Sequence, residues 1–347
     1  MLKELLGKPR MSETARSSKG GKSVTLREVS EAAGLGMSTV SRVIRNHGSF
    51  SAETRMRVME VVERLGYVPN RLAGALASSG SNLVGIVIPS LHNIVFPDLL
   101  SGVAAALDPV GYQSVIGVTD YDLAREEALI QSMLAWRPAA FLIVGLEHTD
   151  RTRSMLAASG IRTAELFDTD GEGIDIVVGF SQREAGAVSA RHLLAKGYRS
   201  IGYVGPDFGT DPRSAKRYNG FRAVLSENGL DFVDQELLAG TSSTEAGRAA
   251  LERLLARGWK LDAVYFSNDD FAMGGLFHCI ASGIEVPSQL AIMGYNGLDI
   301  GRFAPQPLTT VLTPRAEVGE IGARLILDGS PSTVVETAFK LVEGATT

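Results

Sequence analysis

The chain has 347 residues, of which 45% are hydrophobic and 21% charged, and a formal net charge of −5. This length exceeds what one core serves and predicts two or three units. The apolar content excludes a disordered chain, and no apolar run reaches the length of a bilayer span, which excludes a helical membrane protein.

The charge is unevenly divided. Residues 1–80 hold 13 Lys or Arg against 7 Asp or Glu, a surplus of +6, whereas the rest holds 21 against 32, a deficit of −11. A basic head on an acidic body predicts that the head meets a polyanion and the body does not. Part of that surplus lies in residues 1–22, which read as a disordered basic tail without the apolar segment of a secretory signal. Met11 offers a second possible start of translation. The single cysteine, Cys279, excludes an internal disulfide and a cysteine zinc cluster, and reads as a small buried residue in a reducing cytoplasm.

Residues 23–67 read as a three-helix unit. The first helix runs from Leu26 to Ala33, with Thr25 and Glu28 as a capping box and Leu26, Val29 and Ala33 on one face. Gly34 and Gly36 permit a sharp turn. A second helix begins at Ser38 and turns Val40, Val43 and Ile44 inward, which is helix-turn-helix grammar. The third, Ala52 to Leu65, is capped by Ser51 and has Met56, Val58, Met59, Val62 and Leu65 as its apolar positions.

From Leu83 the pattern changes to short apolar strands alternating with helices. Leu83–Ile88, Gln113–Val118, Ala140–Val144 and Arg162–Leu166 read as strands buried on both faces, separated by helices over Phe96–Val110, Leu123–Ala135 and Arg151–Ser159. The rhythm resumes with strands at Ile201–Val204, Ala263–Phe266 and Leu290–Met293, and helices near Gln182–Lys196, Arg213–Asn228, Thr244–Arg257 and Asp269–Ser282. Two βαβ series predict an α/β core of two parallel-sheet lobes, with a ligand cleft between them at the carboxyl ends of the strands.

The segments Val24-Thr-Leu-Arg-Glu-Val, Ser38-Thr-Val-Ser-Arg-Val and Leu65-Gly-Tyr-Val-Pro-Asn70 appear in one order, and with them the chain from about Val24 onward resembles the LacI family of bacterial transcription regulators. The resemblance implies an all-α helix-turn-helix domain, a hinge helix and linker at 68–82, and a two-lobed periplasmic-binding-protein-like core at 83–347. The first lobe is expected at about 83–181 and 313–340 and the second at about 182–312, with chain crossings near Ser181, near Leu312 and close to the C-terminus. A homodimer on double-stranded operator DNA is implied, its faces on the helices from Phe96 and from Asp269, with no leucine heptad after Leu327 to make a coiled-coil tetramer.

By the same resemblance Met37, Ser38 and Arg42 touch base edges, and Arg42 can bond bidentately to guanine. Thr25, Thr39, Arg45, Ser51, Thr54 and Arg55 suit phosphates or the exposed helix face beside them. Asn70 to Ala77 match the hinge helix, Leu76 falls at the minor-groove wedge, and Gly74 replaces a common arginine. Leu76→Ala is therefore expected to weaken operator binding severely without unfolding the core.

The effector residues carry over one at a time. Ser90, Asn93 and Phe96 lie in a stretch resembling the family's Pro-x-x-x-Asn-Pro-Phe-Phe, Asp168 and Phe180 fall at a ligand aspartate and a ring over the sugar, and Arg217 falls three residues before Gly220. Asn268 and Asp269 close a later strand, and Asn296 stands where many relatives carry aspartate, which removes one negative charge. Amides and carboxylates serve hydroxyls, and Arg217 can clamp a carboxylate with two parallel bonds. Leu146-Glu-His-Thr-Asp-Arg151, Asp175-Ile-Val-Val-Gly-Phe180 and Asp299-Ile-Gly301 are similar to the gluconate-operon repressors within the family, which adds Glu147 and His148 and implies a sugar acid such as gluconate or a ketogluconate.

The rival readings are a solute receptor that binds sugar without a DNA role, and an enzyme. His92, His148, His192 and His278 are scattered, and the chain has neither a Gly-x-Ser-x-Gly elbow nor a Gly-x-x-x-x-Gly-Lys loop, so no catalytic residue, metal or cofactor is expected.

Overall fold

The computed structural model of the chain describes residues 24–44, 46–68 and 81–347. They fall in two compact units divided after Ser78.

The first unit holds α1 (Leu26–Ala33), α2 (Met37–Ile44) and α3 (Ala52–Leu65). Thr25 Oγ1 accepts from Glu28 N at 3.3 Å and the Glu28 carboxylate takes Thr25 N at 2.7 Å, so two amides that α1 cannot satisfy internally find partners. Gly34, at φ 65°, adopts the left-handed conformation that ends α1. α2 starts one residue earlier than its sequence suggests, at Met37. The core is a valine cluster, Val29, Val40, Val43, Val58 and Val61 with Ala33. Met56 and Met59 are exposed, contrary to expectation. The face of α3 that meets α1 and α2 is set by Val58 and Val61, and those two methionines project off it.

The second unit is an α/β core. Its larger sheet is six-stranded and parallel, in the order β11-β5-β4-β3-β1-β2, from β1 (Leu83–Ile88), β2 (Gln113–Val118), β3 (Ala140–Val144), β4 (Arg162–Leu166), β5 (Ile176–Gly179) and β11 (Thr333–Glu336). The smaller is four-stranded and parallel, β7-β6-β8-β9, from β6 (Ile201–Pro206), β7 (Asp234–Leu238), β8 (Ala263–Phe266) and β9 (Ala291–Met293). β2 was expected to be buried on both faces, but it is an edge strand and largely exposed, because it has a strand neighbour, β1, on one side only.

Helices α4 (Val95–Leu107), α5 (Leu123–Leu134), α6 (Asp150–Ser159) and α12 (Arg315–Leu327) belong to the larger sheet. Helices α7 (Gln182–Ala195), α8 (Pro212–Glu227), α9 (Thr244–Ala256), α10 (Asp269–Ser282) and the short α11 (Asp299–Arg302) belong to the smaller. Strands β5, β7 and β11 and helix α12 do not stand out in the sequence periodicity.

The chain passes between the lobes three times: at Gly179–Ser181, after β10 (Thr310–Leu312), and at β12 (Lys340–Val342). β10 and β12 pair antiparallel, and the last residues return to the second lobe, where Thr346 O accepts from Ile292 N at 2.8 Å. α7 and α8 cross at glycine. A Cβ on Gly186 would lie 1.9 Å from Arg217 O, so only glycine allows this approach, and it sets the height of α8 over the lobe boundary.

Candidate functional site

On the first unit the residues of interest lie on the outer side of α2. Met37 is 54% exposed, and Ser38 and Arg42 are exposed beside it. Arg42 Nε donates to Ser38 O at 3.4 Å, which leaves the guanidinium's terminal edge outward. Thr39 is half-buried at the base of this face. Thr25 spends its hydroxyl on the capping box, while Ser51 caps α3 through Thr54 N at 3.1 Å, with Arg55 exposed one residue beyond Thr54. Arg45, Asn70, Leu76 and the expected hinge helix lie outside the described residues.

A cavity lies between the lobes of the core. The first lobe brings Ser90, Asn93 and Phe96 from the loop after β1 and the start of α4, Tyr121 from the turn after β2, and Phe180 from the first crossing. The second lobe brings Asp211 from the N-cap of α8, Arg213 and Arg217 from α8 itself, and Ser242, Ser267, Asn268 and Asn296 from loops at the carboxyl ends of its strands. Of the expected effector residues, Ser90, Asn93, Phe96, Phe180, Arg217, Asn268 and Asn296 therefore share one cavity.

Four do not line it, and each is claimed by other partners. His148 is buried between two carboxylates, with Nδ1 2.7 Å from Glu126 Oε1 and Nε2 3.2 Å from Glu165 Oε1. Burial opposes its charge, but the two carboxylates prevail and raise its pKa to about 9. Glu147 and Asp168 hold Lys216 of α8, with Glu147 Oε1 2.7 Å from Nζ. Lys216 belongs to the second lobe and its partners to the first, so this ion triad straps the lobes together. Asp269 is fully buried: Oδ2 accepts from Leu298 N at 2.6 Å and Oδ1 from Thr310 Oγ1 at 2.8 Å. Desolvation raises its pKa to about 7.

The sequence reading missed Tyr121, Gln182, Asp211, Arg213 and Lys216. A signal existed for Arg213, because an i, i+4 spacing sets it on the same face of α8 as Arg217. Asp211 caps α8 through Arg213 N at 3.2 Å, and Pro212 begins the helix. Tyr121 is placed by a turn in which Asp120 and Tyr121 both have positive φ, 53° and 63°, which periodicity does not reveal.

Local capping decides what the cavity offers. Asn93 Oδ1 accepts from Val95 N at 3.1 Å and Asn268 Oδ1 from Phe271 N at 3.0 Å, so each amide keeps its NH2 for the cavity. Ser90 Oγ accepts from His92 N at 3.1 Å and retains its proton to donate. Arg217 Nε and Ser267 Oγ are buried with no protein partner among the described residues. Two guanidiniums face a single lining carboxylate, Asp211. Burial pushes the Asp211 carboxyl up, and Arg213 and Arg217 more than reverse this, so its pKa is lowered and it stays ionised. The cavity therefore has a surplus of donors and of positive charge, and it fits an anionic, hydroxyl-rich molecule. Among the described residues no group of His, Cys, Asp and Glu could hold a metal ion, and no helix is long and apolar enough to cross a membrane.

Comparison with known proteins gives a consistent picture. Residues 25–70 match the family described as bacterial regulatory proteins, lacI family, and residues 81–333 match periplasmic binding proteins and sugar binding domain of LacI family. The chain is 38% identical over 305 residues to the HTH-type transcriptional regulator GntR of Pseudomonas aeruginosa, covering 87% of this chain and 88% of that protein. It is 34% identical to the regulator of the same name from Escherichia coli K12, covering 87% and 90%. A solved LacI-family transcriptional regulator from Silicibacter pomeroyi superposes with a TM-score of 0.89 at 42% identity, covering 93% of this chain and 99% of that one.

Proposed function

Since the chain belongs to the LacI family, whose members are DNA-binding transcriptional regulators and not enzymes, we propose that it is a repressor whose grip on operator DNA is set by a sugar acid such as gluconate or a ketogluconate held between the core lobes. The observation that carries the sugar-acid reading is the donor surplus of the cavity, where two guanidiniums stand against one lining carboxylate. Asn93, Asn268, Ser90 and Ser267 would serve hydroxyls. Arg213 and Arg217 supply the positive charge, and Phe96 and Phe180 cover the apolar side of the carbon chain.

Met37, Ser38 and Arg42 are the proposed base-reading residues, with Thr25, Thr39, Arg45, Ser51, Thr54, Arg55 and Asn70 along the backbone and Leu76 in the minor groove. The working form is a homodimer. The exposed apolar residues Phe277, Ile280, Ile300 and Phe303 of the second lobe support an apolar face for pairing. Control follows from linkage: the effector's different affinity for the DNA-competent and DNA-released arrangements supplies a coupling of about 1–3 kcal/mol. A solute receptor has no use for the helix-turn-helix unit, which disfavours that rival.

Calorimetric titration with gluconate, 2-ketogluconate, their phosphates and neutral hexoses tests the ligand class, and selection of bound genomic fragments with and without the acid that binds tests the coupling. Micromolar binding of an acid that changes fragment retention is expected. Binding of a neutral hexose alone would overturn the sugar-acid reading.

A further inference from the structure

The two arginines of the cavity are not equivalent. Arg217 is already committed: its NH1 donates to Gln182 Oε1 at 2.7 Å, its NH2 reaches Ser267 O at 3.4 Å, and its plane lies 4.1 Å from the Tyr295 ring centre. Gln182 Oε1 also accepts from Tyr295 Oη at 3.2 Å, so the guanidinium is built into a framework. Each terminal nitrogen thus gives one of its two N–H groups to the protein, and Nε has no partner among the described residues. Both terminal nitrogens, which a two-bond clamp would use, are therefore already engaged by protein acceptors.

Arg213 presents the opposite case. Its Nε points to Asp211 Oδ1 at 3.4 Å, and its carbon centre lies 5.6 Å from the Phe96 ring, which fixes the plane. Among the described residues neither terminal nitrogen has a hydrogen-bond partner, although the residue is only 8% exposed. With both terminal nitrogens unpartnered and the guanidinium lining the cavity, a two-nitrogen edge stands open to an acceptor there. Tyr121, from the opposite lobe, lines the same end of the cavity. Burial pushes its phenol pKa up, so it stays a neutral donor.

We infer that Arg213 forms the fork on the ligand's carboxylate, at the boundary between the lobes, while Arg217, engaged by the protein at both terminal nitrogens, faces the polyol chain and holds the framework. The inference rests on the sugar-acid reading and deepens it. It places the acid end of the ligand between α8 of one lobe and the Tyr121 turn of the other, so that the charge itself draws the lobes together. Asp211 stays ionised between Arg213 and Arg217, so two guanidiniums against one carboxylate leave a net positive charge for the incoming acid.

The test compares D-gluconate with D-glucitol, which has the same carbon chain and a hydroxymethyl in place of the carboxylate. Calorimetry on the full-length protein gives the acid-to-polyol affinity ratio for the parent, Arg213→Gln, Arg213→Lys and Arg217→Gln, with thermal melting to confirm folding. Arg213→Gln should cut the ratio at least tenfold, chiefly through loss of gluconate affinity. Arg213→Lys keeps the charge but not the fork and should lower the ratio several-fold, which preserves the test if the glutamine variant fails to fold. Arg217→Gln should weaken both ligands by similar factors and leave the ratio near the parent's. A ratio unchanged in both Arg213 variants, or one that collapses only in Arg217→Gln, overturns the inference and leaves the sugar-acid reading standing. A parent that does not prefer the acid overturns both.

Discussion

Replacing His148 with glutamine should remove a pH-dependent part of the core's stability. The imidazole is buried 2.7 Å from one carboxylate and 3.2 Å from another, and its pKa rises from 6.5 to about 9 on folding. A basic group with a raised folded pKa contributes stability that is fully present below its unfolded pKa and lost as pH rises through the folded one. The window here is therefore pH 6.5 to 9. A shift of that size corresponds to about 3 kcal/mol, since one unit is worth about 1.4 kcal/mol. In a core of this size it should move the melting temperature by roughly 6–12 °C. The assay is thermal or urea unfolding of the parent and His148→Gln at pH 6, 7.5 and 9.5. The parent should lose stability across that range, and the variant should be much less stable at pH 6 and approach the parent at pH 9.5. A stability gap between the two that stays constant with pH would refute the reasoning. Because His148 does not line the cavity, effector affinity at pH 7 should stay close to the parent's.

Three further predictions concern the two units. Arg42→Ala should cost about 1–3 kcal/mol on the selected operator and relax preference at one base pair, read by fluorescence anisotropy across a set of single-base variants; an equal loss on every sequence would make Arg42 a phosphate contact. Lys216→Gln should release the strap to Glu147 and Asp168 and weaken effector binding by about tenfold or more, with a larger radius of gyration in solution scattering; unchanged scattering and affinity would show that the strap does not hold the lobes. Gly186→Ala, whose Cβ would lie 1.9 Å from Arg217 O, should destabilise the core by about 1–3 kcal/mol and lower effector affinity by shifting α8; a drop in melting temperature with unchanged affinity would mean that α8 keeps its place.

Short-range physics made much of this protein legible in its sequence. The capping box at Thr25 and Glu28, the left-handed Gly34 and the Ser51 cap are interactions within four residues, and they define α1 and the start of α3 without help from the rest of the chain. Strands such as Ala140–Val144, sealed on both sides, need continuous apolar runs, which announce themselves. Residues just after such strands end at the lobe boundary because a parallel sheet sends all its carboxyl ends one way, and this agrees with the family resemblance that grouped Asn93, Asn268 and Asn296.

Other features were decided only by the tertiary fold. The edge position of β2 depends on strand order, and β11 pairs with β5 across more than 150 residues of chain. His148 looks like a ligand residue until Glu126 and Glu165, brought in from α5 and β4, enclose it. Arg217 has Gln182 and Ser267 at its terminal nitrogens and Tyr295 against its face, whereas neither terminal nitrogen of Arg213 has a hydrogen-bond partner among the described residues. Type and spacing say which side chains can bind; which of them are still free is settled by partners distant in the chain, because a hydrogen bond or an ion pair saturates the group that forms it.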